Sequence, residues 1–276
     1  VVFVVLSYLL ALLVDIIAYA KIGSVWGFIS AAEVSKNRGV IGAYVWGIIR
    51  MWTVTLATII VISIRGKSPI DTIMTYIKIS PLVLIVYLLT PLMVFGTLCI
   101  YYILAKVFKL VKHNILQLSN ESKFKPPGGL GGILAFSYVA SITTNALASL
   151  GEEVGWRGYL LHQLRYLGVI KAALIIGVIW ALWHTSAIIL LDFNIYPGTS
   201  YHNKLTVIAT FTLTLSVISI PATLIVLKTG SILPAVALHG AINAIWGLTI
   251  LTSDAVSYTH LRAHETEADL VCRLLL

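Results

Sequence analysis

Apolar residues in this chain run in blocks far longer than the alternation that buries one face of a strand or one stripe of a surface helix. Seven blocks reach the roughly 20 mostly apolar residues that a bilayer-crossing helix needs. They lie at about 1 to 20, 40 to 64, 79 to 105, 133 to 161, 169 to 191, 205 to 227 and 233 to 251. The pattern predicts an all-α fold, a polytopic transmembrane helical bundle of about seven to eight spans. The loop from Lys106 to Gly132 ends in Pro126-Pro127-Gly128-Gly129-Leu130-Gly131-Gly132. That break separates the leading spans and a basic loop, residues 1–132, from a core of four spans at 133–254. Val1 to Ala20 lacks the basic n-region and small-residue cleavage pattern of a signal peptide and reads as a span. With no initiating Met, it is compatible with a truncated start.

Composition narrows the class. Hydrophobic residues make up 59% of the chain and charged residues 11%, more apolar than a soluble domain of this length sustains. The lipid bilayer is therefore an expected partner. The formal net charge is +8, but Lys106, Lys109, Lys112, Lys123 and Lys125 gather between apolar runs, a juxtamembrane pattern that excludes a nucleic-acid role. Cys99 and Cys272 have no metal-type spacing and make no disulfide framework. No internal repeat supports a transporter of two symmetric halves. Val256-Ser257-Tyr258-Thr259-His260-Leu261-Arg262-Ala263-His264-Glu265-Thr266 resembles a translated sequencing-adapter tail, so residues 255–276 are expected to be non-native or unstructured.

Three polar interruptions fall inside apolar runs, where ionisable groups are costly and mark function. They are Gly151-Glu152-Glu153-Val154-Gly155-Trp156-Arg157-Gly158, Trp180-Ala181-Leu182-Trp183-His184, and His239-Gly240-Ala241-Ile242-Asn243. A helical hairpin turning near Gly168 puts Glu152 and His184 equally far from its apex, about 24 Å at 1.5 Å rise per residue. His162, Gln163, Arg165 and Lys171 mark that apex as wet. His239 follows the tight Lys228 to Ile232 turn and falls at similar depth. Glu153 and Arg157 are spaced for a same-face ion pair, which leaves Glu152 free to share a water with His184 as a general base. His239 and Asn243 share a helical face and can donate to a developing oxyanion. Trp156, Trp180, Trp183 and Trp246 read as packing or interfacial anchors, and Asp15 with Arg50 as a structural or snorkelling pair.

In this order and spacing the three blocks resemble the signatures of the CAAX-processing and bacteriocin-processing (CPBP) family of intramembrane proteases, similar to the Ras-converting type and its prokaryotic branch, over about residues 133 to 251. The resemblance implies an intramembrane glutamic endopeptidase, hydrolysing a peptide bond near the membrane surface. Its catalytic residues are then Glu152, His184, His239 and Asn243, supported by Glu153 and Arg157. Trp180 stands where the second signature usually has Phe. The implied partner is a peptide or protein substrate, lipidated where eukaryotic relatives trim prenylated CAAX tails, and the implied location is a prokaryotic cell membrane with several passes. No His-Glu-x-x-His string is present, so the expectation is no metal and no cofactor. A zinc-dependent variant holding two His and a Glu, or a non-catalytic scaffold or immunity protein, is the alternative.

Overall fold

The computed structural model describes residues 1–23, 38–108, 128–195 and 201–252. Every regular element among them is helical: α1 Val2–Ile22, α2 Arg38–Ile64, α3 Pro69–Met74, α4 Pro81–Val107, α5 Gly129–Ile142, α6 Thr144–Glu153, a π-helix Val154–Leu160, α7 Leu161–Leu164, a 3₁₀ turn Arg165–Leu167, α8 Val169–Trp183, α9 Thr185–Leu191, α10 Tyr201–Thr229 and α11 Leu233–Thr252. Among the described residues, six stretches are long and apolar enough to cross a membrane: Val2–Lys21, Gly42–Ile64, Pro81–Ile100, Gly131–Leu167, Val169–Leu191 and Lys204–Thr229. The seventh predicted span is α11, whose apolar part among the described residues is the shorter Leu233–Ile245. Lys109, Lys112, Lys123, Lys125 and residues 255–276 lie outside the described residues, as does the side chain of Trp246.

Polarity is distributed as a lipid solvent requires. On α1, Leu9, Leu13 and Ile16 face outward while Ser7 and Asp15 are fully buried. With no water in hydrocarbon to satisfy polar groups, they gather between helices.

The block at 133 to 161 is not the single uniform helix the pattern predicts. It breaks at Thr143, whose backbone leaves the helical region (φ −125°, ψ −95°), and resumes as α6. Past Glu153 it widens into the π-helix and closes through the 3₁₀ turn. Because π and 3₁₀ turns depart from the α-helical rise, a uniform 1.5 Å per residue does not measure the depth of Glu152. The hairpin apex is where the sequence places it. Gly168 has φ 84°, a left-handed conformation that glycine adopts without strain, and His162, Gln163, Arg165 and Tyr166 beside it are exposed.

The chain forms two compact units, one of Val1–Leu84 and Ala148–Val236, the other of Ile85–Leu147 and Ala237–Leu276. In the first, small residues let backbones approach closely. Gly151, Gly155 and Gly158 recur on one helical face, and a Cβ on each would collide with Trp52, Val54 and Tyr76 respectively. Gly151 and Gly155 seat the end of α6 and the start of the π-helix against α2, where Thr55 Oγ1 also donates to the Gly151 carbonyl at 2.6 Å, and Gly158 makes room for Tyr76 beyond α3. Gly177 does the same for α8 against Ser216 of α10. Burial, with the Tyr159 phenol beside it, pushes the Tyr76 hydroxyl above its ordinary range. In the second unit, Tyr87 donates to the Ile142 carbonyl at 2.7 Å and Tyr138 to the Leu88 carbonyl at 2.9 Å, pinning α4 to α5. Gly240 of α11 abuts the Ser141 carbonyl just before the Thr143 break.

Candidate active site

The first unit gathers the first two polar blocks. All seven π-helical residues are buried, and π-turns are rare features that often sit at functional sites. Glu152 and Glu153, each 1% exposed, precede it. Arg157 Nη1 donates to Glu153 Oε1 at 2.9 Å, the pairing that the spacing predicts. The guanidinium also lies 4.4 Å from the Trp180 ring centroid and reaches Ser219 Oγ of α10 at 3.4 Å. Glu153 thus shares its buried site with a cation, and the two charges offset each other.

Glu152 corrects the expectation that it is left free. Its Oε2 accepts from Trp156 Nε1 at 3.1 Å and from Trp180 Nε1 at 2.5 Å. These two tryptophans are therefore more than the packing anchors they read as. An indole N–H is a donor only, so two of them aimed at one oxygen hold that oxygen as an acceptor and fix the carboxylate plane. Trp183 likewise donates, to the Ser7 carbonyl at 3.2 Å.

His184 occupies the turn between α8 and α9. Its Nδ1 donates to the Trp180 carbonyl at 2.9 Å, while its own backbone N–H bonds the Ala181 carbonyl. A carbonyl only accepts, so Nδ1 carries a proton, and in the neutral form of the ring the lone pair resides on Nε2. Trp180 consequently joins the two residues: its indole holds Glu152 and its carbonyl holds His184. Apolar rings wall the imidazole, with Trp183 at 4.8 Å, Phe211 at 5.0 Å and Phe193 stacked at 5.9 Å between centroids.

His239 and Asn243 lie one helical turn apart on α11 in the second unit, His239 buried and Asn243 partly so. Among the described residues no three His, Cys, Asp or Glu side chains converge as a metal ion requires. Sequence reasoning missed Trp156, Trp180 and Ser219 as partners of the acidic pair. Only Trp156 carried a signal, since it sits four residues beyond Glu152 on the same helical face. A direct check is Trp180→Phe, which keeps an aromatic face for Arg157 but removes the donor to Glu152. A hydrogen bond to a charged group is worth about 1.5–3 kcal/mol, so turnover is expected to fall roughly tenfold to hundredfold. Wild-type turnover in this variant would show that the indole N–H only packs.

Residues 134–245, which contain all six candidate residues, match the family model described as Type II CAAX prenyl endopeptidase Rce1-like. Over 136 residues the chain is 31% identical to a CAAX prenyl protease 2 of Methanococcus maripaludis, a stretch covering 48% of this chain and 48% of that protein. The chain spans about half the length of the curated relative it matches. No solved structure gives a significant match.

Proposed function

We propose, since residues 134–245 match the Rce1-like CAAX prenyl endopeptidase family model, that this chain is an intramembrane endopeptidase of the glutamic type. The observation that carries the reading is the coupling of Glu152 to His184 through Trp180, with one carboxylate oxygen clamped by two indoles. A water held between Glu152 and His184 Nε2 loses a proton to this pair as its oxygen attacks the scissile carbonyl carbon. The carbonyl oxygen becomes an oxyanion, and the donors proposed for it are His239 and Asn243, on the ground that they share a face of α11 and lie within the same matched stretch. When the C–N bond breaks, the abstracted proton passes to the leaving amine, and the new carboxyl group keeps the water's oxygen. Glu153 is neutralised by Arg157, which leaves Glu152 as the carboxylate available for proton transfer.

The names of the family and the relative support a peptide or protein substrate with a prenylated CAAX tail, whose lipid would lie in the bilayer beside the apolar outer faces of the helices. The archaeal relative supports a prokaryotic cell membrane as the location. The chemistry is proposed to need no metal: Asn is a poor zinc ligand, and the carboxylate and imidazole that Trp180 bridges can serve as the base that activates water.

The test is cleavage of a farnesylated peptide ending in a CAAX sequence, beside its unprenylated counterpart, by detergent-purified protein with and without chelator. Wild type is expected to cut the farnesylated peptide in chelator, and Glu152→Ala to cut neither. Cleavage that survives Glu152→Ala would overturn the glutamic mechanism. Activity lost on chelation and regained on zinc would replace it with a metal one.

A further inference from the structure

The leading spans bury a second charged cluster, outside the family-matched segment. Arg50 of α2 donates through Nε to Asp15 of α1 at 2.9 and 3.1 Å, realising the pairing that the sequence suggests. Asp15 Oδ1 also accepts from Trp46 Nε1 at 3.0 Å. Asp15 is 0% and Arg50 3% exposed. A buried ion pair is weak as a source of stability, because apolar residues of similar size often do as well. The rest of the cluster shows what else this one does.

Arg50 Nη2 donates to the Trp183 carbonyl at 2.7 Å, and the guanidinium carbon stacks 3.7 Å from the Trp183 ring centroid. Trp183 is the last residue of α8, where carbonyls run out of helical partners and a cation is favoured. Beyond the turn, Ser186 Oγ donates to Asp15 Oδ2 at 2.6 Å and lies 3.5 Å from Arg50 Nη2. The cluster therefore grips the residue before His184 and the residue two after it. Those anchors hold the backbone that carries the imidazole, and its Nδ1 bond to Trp180 sets where Nε2 points.

We infer that Asp15 and Arg50 are positioning residues for His184, supplied by the two leading spans. The inference rests on the endopeptidase reading of Glu152 and His184. Arg50 is required rather than any cation, because one planar guanidinium spans Asp15 and the Trp183 carbonyl together, whereas a lysine ammonium is a point charge on a flexible stem.

The experiment compares wild type, Arg50→Lys, the charge-free double variant Asp15→Leu with Arg50→Met, and Glu152→Ala as the control for the reaction itself. The readouts are kcat and KM on a farnesylated CAAX peptide, taken per folded molecule, and the ¹⁵N resonances of the His184 ring, assigned with His184→Gln. Arg50→Lys keeps the ion pair and is expected to fold, yet to lose about tenfold to hundredfold in kcat with KM little changed, the size of effect that slight misplacement of a reacting group produces. Its His184 ring is expected to move from the Nδ1–H form towards a mixture of tautomers. The double variant, if it folds, is expected to show the same two effects. Wild-type kcat together with an unmoved tautomer in Arg50→Lys would overturn the inference and leave the cluster a stability element. If Glu152→Ala still cleaves, the hydrolytic reading fails instead, and the His184 resonances decide the positioning role independently.

Discussion

Changing Glu152 to Gln is expected to cut kcat about 10²- to 10⁴-fold, the usual contribution of a positioned general base, while thermal unfolding in detergent stays near that of wild type. The reason lies in the clamp. Glutamine keeps one oxygen that can accept from both Trp156 and Trp180, so both indole bonds can be retained. Glu153→Gln is expected to behave differently, although the two glutamates are adjacent and equally buried. It leaves the Arg157 cation without its counter-charge in a site where both partners are almost wholly excluded from solvent. Breaking a buried pair from one side costs about 3–5 kcal/mol, so this variant should melt well below wild type and lose activity with its fold. Unfolding curves of the two purified variants check the assignment. Equal thermal shifts would mean that Arg157 does not distinguish them.

Asn243→Ala is expected to lower kcat roughly 10²- to 10³-fold with KM nearly unchanged, because a donor aimed at an oxyanion strengthens its contact only in the transition state. The check is steady-state kinetics on the farnesylated peptide, with the metal content of the same preparation measured alongside. A rise in KM with unaltered kcat would move Asn243 from stabilising the transition state to binding substrate. Stoichiometric zinc in active wild type, lost from His239→Ala, would make this helix face a ligand set.

The sequence by itself determined the class and the parts. Hydropathy blocks of bilayer length are a local property, so α1, α2, α4, α8 and α10 stand where the apolar runs predict, and the Gly168 turn stands where polar residues mark a wet apex. The Glu153–Arg157 pair was legible for the same reason: four residues is one turn of helix, and both partners lie on one segment. The order and spacing of the three polar blocks also sufficed to point to the family whose model matches residues 134–245.

Tertiary structure alone decided how the carboxylate is held. Trp180 is 28 residues from Glu152, Ser219 is 62 from Arg157, and the Trp183 carbonyl is 133 from Arg50, separations with no periodicity to betray them. Nor could hydropathy reveal the break at Thr143 or the π-helix after Glu153, since it reports side-chain polarity and not the hydrogen-bond register of the backbone. The glycines at 151, 155 and 158 do form a helical stripe in the sequence, but only the packing of α2 and of Tyr76 shows what they make room for. A backbone pattern reports which face is apolar. Which polar group meets which across that face depends on helix crossings, and those are set by close packing between segments far apart in the chain.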